Sequence, residues 1–462
     1  MAEVDPIIEH SPAPKPAEAN AISNGRMALL FSVMLVTAAG NTAMQSVMPS
    51  IGTALGVNDV WISLAYSWSA LLWVVCAPIW ARRSDQRGRK AMMALGLVGF
   101  ILSMMLCGVV LWFGLAGWLS AMSALIIFAA ARSLYGLFGS AAPPAVQAYV
   151  ASRTPRSQRT QALSLIASSF GLGTVFGPVL APLMVIPFMG IGLTGPFWCF
   201  ALLGVVTLVL LRVRLPNDEP QFAARGRVHD APYGGGSGHE ETQTADEDSH
   251  RDEDAAVPEQ PAEQTRIGWL DPRVRPWVLA GLVGGHAQAM IMGIVGFLVL
   301  DRMALRDAPA EGAGLVSLVL VFGALATLLA QWGVIPRFNI GPRAATLSGM
   351  FVAALGALVL GAANSVFLLS LGYAIASLGF GLFRPGTTAG TSLAVTRAEQ
   401  GQASGITASV AGASFIYAPA LGVGLYNWNA WLAFSLIAGL CLIVALAGWR
   451  GLQHDSVLTQ DR

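Results

Sequence analysis

Long apolar runs separated by short polar segments constrain this chain more than any other feature. A helix needs about 20 apolar residues to cross the hydrocarbon core of a membrane. Only 11% of the 462 residues are charged, whereas a soluble protein carries about 25%, so most of the surface must face lipid. The runs are too long for barrel strands and predict an all-α polytopic membrane protein with twelve transmembrane helices. They cover approximately residues 27–49, 60–80, 91–113, 119–147, 160–185, 193–213, 275–299, 312–334, 344–362, 365–392, 403–425 and 428–449.

Two polar segments, 1–25 and 215–272, are rich in Pro, Asp and Glu. They hold too few apolar residues to form a core, so we expect both to be disordered and cytoplasmic. They delimit an N-terminal six-helix bundle, 26–214, and a C-terminal six-helix bundle, 273–450, followed by a cytoplasmic tail, 451–462. The first segment lacks the apolar core of a signal peptide, so no cleavage is expected.

The lysines and arginines orient the spans. If the N-terminus is inside, the outer loops carry only Arg302 and Arg306, while Arg132 and Arg384 fall within spans. All the other basic residues lie in inner segments, as the positive-inside rule requires. Shifting the assignment by one helix would remove this asymmetry. We therefore expect a multi-pass protein of the bacterial inner (plasma) membrane with both termini in the cytoplasm.

An internal repeat relates the two halves. Segments 160–182 and 401–423, the fifth spans of the two halves, share identical residues at a constant offset. The pairs include Gln161 with Gln402, Gly171 with Gly412, and Pro178 with Pro419. Equal positions within two sets of six spans indicate duplication. Two parallel six-helix halves with a substrate site between them are typical of a transporter.

The loop between spans two and three carries a signature. Residues 81–90 read ARRSDQRGRK, which resembles the G-x-L-A-D-R-x-G-R-K loop of the major facilitator superfamily. Gly88 permits the tight turn between the spans, and Asp85 can cap a helix or pair with an arginine to tie one half to the other. The resemblance implies a gating role for the matching residues, which are Asp85, Gly88, Arg89 and Lys90; Ala81 and Gln86 depart from the motif.

Arg132 lies near the middle of span four, within a stretch that resembles the R-x-x-x-G motif of the same family. A buried arginine costs several kcal/mol in a membrane and marks a functional site by default. The resemblance implies a role in substrate or proton handling. The alternative is structural, with the guanidinium donating to carbonyls of neighbouring helices.

Gly173, Gly177 and Pro178 in span five resemble the G-x-x-x-G-P-x-x-G-G signature of the twelve-span drug/proton antiporters of this superfamily, although Ala181 and Pro182 replace the last two glycines. Glycines one turn apart let helices approach closely, and the proline bends the helix. The resemblance implies an exporter. General small-residue packing between helices is the alternative.

Five further polar or aromatic residues are candidates for binding substrate or protons. Arg384 lies in span ten, and His286 lies midway along span seven. His286 is either a neutral hydrogen-bonded side chain or a proton carrier, since histidine is a common proton shuttle. Asn41 and Gln45 are four residues apart and share a face of span one, where they bind substrate or hydrogen-bond between helices. Tyr417 is a candidate for the wall of the substrate site.

Acidic residues are missing from the interior of the spans. Asp59 and Asp301 lie only at the outer ends of spans two and seven. Many drug/proton antiporters of the family carry an embedded acid, so this departure argues against a cationic substrate. The two arginines within spans favour an anionic or neutral amphipathic substrate, and proton coupling would use His286, Asp59, Asp301 or the substrate itself.

These features favour a secondary active transporter that works by alternating access and exports a small amphipathic or anionic drug or metabolite in exchange for protons. An organic-anion uptake symporter is the alternative within transport, and a non-transporting membrane sensor is the alternative of another class. No G-x-x-x-x-G-K-[ST] phosphate loop and no His/Cys cluster with metal-ligand spacing occurs, so we expect no enzyme, cofactor or metal. The partners expected are substrate, protons and the bilayer, without nucleic acid, and the protein is expected to function as a monomer.

Overall fold

The computed structural model describes residues 22–154, 156–185, 191–217, 268–395 and 400–458. Most of the predicted disordered segments, 1–25 and 215–272, lies outside the described residues. Helices dominate the described chain, and we number those that follow the predicted spans α1 to α12. The first half contains α1 (Asn24–Leu55), α2 (Asp59–Arg87), α3 (Arg89–Leu115), α4 (from Ala121), α5 (Arg156–Leu180) and α6 (Gly195–Arg214). The second half contains α7 (Arg275–Arg302), α8 (from Pro309), α9 (Pro342–Ala362), α10 (Val366–Leu393), α11 (Gln400–Trp428) and α12 (Ala430–Gly451).

α4 is interrupted, although the sequence predicts one continuous helix. It runs over Ala121–Leu137, passes through a 3₁₀ turn at Gly139–Ala141 and resumes over Ala142–Arg153. Two prolines follow the turn and donate no backbone N–H, so the preceding carbonyls lose their helical partners. The indole Nε1 of Trp80 donates to the carbonyl of Leu137, the last residue before the break, at 2.5 Å, which ties α2 to the break.

α8 also departs from a regular helix. It runs over Pro309–Leu328, continues as a π-helix over Leu329–Val334 and ends with Ile335–Phe338. π-helical segments are rare and occur mostly as local bulges within α-helices. The helix stops at Asn339, which has a left-handed φ of 46°. Asparagine adopts this conformation more readily than most residues do.

Eleven of these helices are long and apolar enough to cross a membrane. The predicted fifth span corresponds to α5, in which Gly171–Leu180 is the apolar helical stretch among the described residues. The predicted fold class, an all-α polytopic membrane protein, is confirmed.

Equivalent helices pack alike in the two halves. α5 packs on α1, and α11 packs on α7. A Cβ added to Gly173 of α5 would lie 3.0 Å from the carbonyl oxygen of Leu35 on α1. Ser414, which occupies the corresponding position of the repeat in α11, donates its hydroxyl to the carbonyl of Leu282 on α7 at 3.4 Å. The sequence repeat therefore corresponds to a repeated helix contact.

The two halves meet along α2 and α11, α5 and α8, and α1 with α7 and α8. We call the end of the bundle that holds the α1–α2 and α7–α8 connections the distal end, and the end that holds the start of α1 and the end of α12 the terminal end. Near the distal end, α1 and α7 are in close contact, because a Cβ on Gly296 would lie 3.0 Å from Cβ of Pro49.

Candidate substrate site

Arg132 and Asn41, both predicted from sequence, are hydrogen-bonded to each other between α4 and α1. The Nη2 atom of Arg132 donates to Oδ1 of Asn41, and the guanidinium lies 4.2 Å above the ring centroid of Tyr135. Arg132 is 1% exposed. Its Nε and Nη1 atoms have no hydrogen-bond partner among the described residues. A buried cation with two free donors favours an anion nearby, because an unsatisfied charged group is costly to bury.

The helical spacing of α1 places Asn41 on the side that faces the other half. Asn41, Gln45 and Pro49 follow one another at four-residue intervals and therefore share a face. Pro49 contacts Gly296 of α7, so this face is directed at α7. Gln45 is half-buried on the same face. Arg132 thus lies behind the side-chain amides of Asn41 and Gln45, which face the interface between the halves.

His286 and Tyr417 are paired in the second half. His286 Nε2 lies 2.6 Å from the Tyr417 hydroxyl, and its Nδ1 lies 2.7 Å from the carbonyl oxygen of Leu282. A carbonyl only accepts, so Nδ1 carries the proton, and the neutral ring accepts the tyrosine proton at Nε2. Protonation of the ring would reverse the second bond, with Nε2 then donating to the tyrosine oxygen.

Tyr417 also faces the interface between the halves. It shares a face of α11 with Leu421 and Gly424, at spacings of four and three residues. Gly424 approaches Val60 of α2 in the first half, with a Cβ added there lying 3.8 Å from that side chain. Tyr417 itself is 53% exposed, so α2 does not cover this face at the level of the tyrosine.

Arg384 lies on α10, directly before Pro385, and is half-buried. Its carbonyl accepts a hydrogen bond from the Thr387 hydroxyl at 3.1 Å. That Arg384 and Arg132 together make a cavity positively charged stays a prediction.

The signature loop forms a tight turn between α2 and α3. Gly88 links the two helices with a left-handed φ of 88°, a conformation that glycine adopts at no steric cost. Arg89 is 1% exposed. The side chain of Asp85 lies outside the described residues, so its predicted role in tying the two halves together stays a prediction.

Lys90 binds the end of α6. Its ammonium donates to the carbonyl of Arg212 at 3.0 Å, to the carbonyl of Leu215, and to Oδ1 of Asn217 at 3.1 Å. These carbonyls belong to the last turn of a helix, where a cation is favoured by the helix dipole. This lysine of the predicted gating loop therefore fastens α3 to α6 within one half.

Arg343 makes the equivalent contacts in the second half. It donates from Nη2 to the carbonyl of Trp449 at the end of α12, at 2.6 Å, and Nη1 lies 3.2 Å from Nδ1 of His454. Asp455 accepts from the backbone N–H groups at the start of α9. Sequence reasoning missed this cluster, although LPND at 215–218 and LQHD at 452–455 are similar.

The antiporter-type motif forms the α1–α5 contact. A Cβ on Gly177 would lie 2.5 Å from the carbonyl oxygen of Ala39, and the Thr42 hydroxyl donates across the contact to the carbonyl of Gly173 at 3.1 Å. Pro178 is buried within α5. These contacts show why small residues occupy the motif; its role as a hinge stays a prediction.

An ion-pair network at the distal end was also missed. Arg306, in the α7–α8 connection, donates to both Asp59 and Asp301. These carboxylates raise the pKa of the Arg306 guanidinium above its usual range, mainly through the hydrogen bonds that Arg306 donates to Asp59. An arginine in a loop predicted to be external is an exception to the positive-inside rule, and this exception was the sequence signal for a paired site.

Comparison with known proteins identifies the family. The family model described as Major Facilitator Superfamily matches residues 30–343. The chain belongs to the Major Facilitator Superfamily. Its members are membrane transporters, so the chain is of a transporter class rather than an enzyme, as the sequence predicted. The described residues contain no group of three or more His, Cys, Asp or Glu side chains that could hold a metal ion.

Individual relatives match shorter segments. Multidrug resistance protein 3 of Bacillus subtilis is 28% identical over 160 residues, which are 34% of this chain and 28% of the relative. Tetracycline resistance protein, class B, of Escherichia coli is 32% identical over 143 residues, or 31% of each protein. The chain therefore spans about a third of the length of these relatives. The inward-open structure of the xylose transporter XylE from E. coli is similar in fold, with a TM-score of 0.63 at 12% identity over 93% of this chain and 96% of XylE.

Proposed function

We propose that this member of the Major Facilitator Superfamily is a secondary active transporter that exports a small amphipathic or anionic compound in exchange for protons. It works by alternating access, in which the six-helix bundles 26–214 and 273–450 rock about a site between them. The observation that carries the proposal is the buried Arg132 guanidinium, with two donors lacking partners among the described residues, behind the side-chain amides of Asn41 and Gln45 on α1.

Arg132 supports an anionic group on the substrate. A guanidinium in an apolar surrounding attracts an anion far more strongly than it does in water. Asn41 accepts from Arg132 through Oδ1, which leaves its amide NH₂ as a donor. A carboxylate or enolate held near Asn41 would therefore meet a hydrogen-bond donor backed by a positive charge.

In the proposed exchange, His286 carries the proton. Its hydrogen bond to Tyr417 joins it to an exposed side chain on the interface, and imidazole is a common proton shuttle in proteins. Asp59 and Asp301 are already paired with Arg306, so protonating either would weaken an ion pair. A proton on His286 and an anion at Arg132 would then bind on opposite sides of the interface.

Export is the proposed direction. The relatives named for multidrug and tetracycline resistance support this direction for the present chain, as does the Gly173–Pro178 motif. The proposed location is the bacterial inner membrane with both termini in the cytoplasm, so the terminal end is internal and the distal end external. We propose that the monomer is the transporting unit.

A resistance screen tests this function. The protein and its Arg132→Met variant are expressed in a host that lacks its own efflux pumps, and sensitivity to anionic, neutral and cationic compounds is measured. Arg450→Met is the matched control, because it removes the same charge from an exposed residue at the end of α12. We expect resistance to anionic or neutral amphipathic compounds that is lost with Arg132→Met and kept with Arg450→Met. Unchanged sensitivity across the panel, or resistance confined to cations, would contradict the proposal.

A further inference from the structure

The distal network gathers the side chains of Asp59, Asp301 and Tyr426 around the guanidinium of Arg306. Arg306 donates from Nη1 and Nη2 to the two carboxylate oxygens of Asp59, at 2.8 Å each. It also donates from Nε and Nη2 to the carboxylate of Asp301, at 2.6 and 3.0 Å. The Tyr426 hydroxyl donates to Oδ2 of Asp301 at 2.6 Å. All three nitrogens of the guanidinium are therefore engaged in charged hydrogen bonds, the strongest kind.

The network crosses between the halves. Asp59 is the first residue of α2, in the first half, whereas Asp301, Arg306 and Tyr426 belong to the second half. Arg306 also donates to the Thr53 hydroxyl at the end of α1 at 3.3 Å, so it contacts two helices of the opposite bundle. Any motion that separates the halves at the distal end must pull Arg306 away from Asp59.

The burial of Asp59 makes this separation costly. Its side chain is 8% exposed, whereas that of Arg306 is 31% exposed. A bidentate arginine–carboxylate pair that is partly shielded from water is worth more than a surface ion pair. Coupling energies measured for close charge pairs across protein interfaces correspond to at least about a tenfold change in an equilibrium constant. The apolar contact between Pro49 and Gly296 lies near the same end and adds to the closure.

We propose that the ion pair between Asp59 and Arg306 is an inter-half lock that holds the distal end of the transporter closed. The proposal rests on the alternating-access function proposed above, because a lock matters only if the halves move. Asp301 and Tyr426 act as positioning residues, since they bind Arg306 from its own half and direct it at Asp59. The lock must open in each cycle before substrate can leave at the distal end.

The test measures distance in the full-length protein in lipid nanodiscs. Spin labels are placed at Ala54→Cys and Ala310→Cys, two exposed positions in the first and second half beside the network, after the native cysteines are replaced by serine. We expect one short distance in the parent protein. Arg306→Gln should raise the ratio of long to short distances by about tenfold or more, and Asp59→Asn should shift it in the same direction.

Arg302→Gln is the matched control. Arg302 carries the same charge four residues earlier, but its Nη2 donates to the carbonyl of Gly361 within the second half at 3.0 Å. This variant should keep the parent distance. A charge exchange, Asp59→Arg with Arg306→Asp, should restore the short distance. Parent-like distances in both Arg306→Gln and Asp59→Asn, or equal opening in Arg302→Gln, would overturn the lock.

Parallel transport measurements separate the two proposals. If both lock variants keep the parent distance while the protein exports a compound, the lock is wrong and the proposed function stands. If the distances shift as expected while no compound of the panel is exported, the lock stands as a conformational contact and the proposed function fails.

Discussion

The contact between α1 and α5 gives a quantitative prediction at Gly177. A Cβ at this position would lie 2.5 Å from the carbonyl oxygen of Ala39 and 2.7 Å from the amide nitrogen of Ala43. Ordinary contacts lie at about 3.5–4.0 Å, so one methyl group overlaps two backbone atoms by about 1 Å. A rotamer change cannot relieve an overlap with backbone, so the two helices must move apart.

Gly177→Ala should therefore destabilise the protein. Overpacking of this kind costs about 1–3 kcal/mol, which lowers the ratio of folded to unfolded protein by roughly 5- to 150-fold at about 1.4 kcal/mol per factor of ten. The matched control is Gly439→Ala on α12, where a Cβ would meet no atom within 4 Å. Alanine is favoured over glycine in a helix by about 1 kcal/mol, so this control should be neutral or slightly stabilising.

Thermal unfolding can be followed with the native thiols. Cys76 and Cys199 are only partly buried and are replaced by serine in all the proteins compared. Cys107 and Cys441 are 0% exposed, so they react with a thiol-specific fluorophore only when the helices separate. We expect a lower melting temperature for Gly177→Ala than for the parent, and an equal or higher one for Gly439→Ala. If both alanine variants melt like the parent, α1 and α5 are not in the close contact described here.

Three further predictions concern other sites. Lys90→Met should lower the melting temperature, because it removes the cation at the end of α6; Arg343→Met should do the same in the second half. Tyr417→Phe should reduce proton-driven export, because it removes the hydroxyl that is hydrogen-bonded to His286; export equal to that of the parent would refute that assignment. Hydrogen bonds from Arg273 lower the pKa of the half-buried Asp271. The stability that this carboxylate contributes is therefore present above its unfolded pKa of about 3.9 and is lost as pH falls through the lowered folded value. Melting temperatures of Asp271→Asn and the parent should therefore converge in acid and differ at neutral pH, and a constant difference would contradict this.

The sequence was sufficient for the fold because one physical constraint dominates a membrane protein. Backbone polar groups in lipid must be satisfied within each segment, so apolar length alone predicts the helices. The interruptions were harder to predict. The break in α4 precedes two prolines, and prolines are also tolerated within continuous membrane-spanning helices. The π-helix in α8 has no simple compositional signal.

The candidate site was partly predictable. Polar residues within spans are few, so Asn41, Arg132 and His286 stood out, but their partners depend on how helices pack. The hydrogen bond between Asn41 and Arg132 joins residues 91 positions apart. The lock at Arg306 was missed because charged residues at helix ends are common, and only the packing of the halves brings Asp59 to it.

Proton-driven export is the central claim, and flux in proteoliposomes tests it most directly. The purified protein is reconstituted with a compound from the resistance panel, a pH gradient is imposed, and substrate and proton movement are recorded together. We predict that substrate moves against its own gradient only while the pH gradient persists, that protons move in the opposite direction only when substrate is present, and that Arg132→Met abolishes both fluxes. Substrate movement that is independent of the pH gradient, or proton movement that is independent of substrate, would contradict the account.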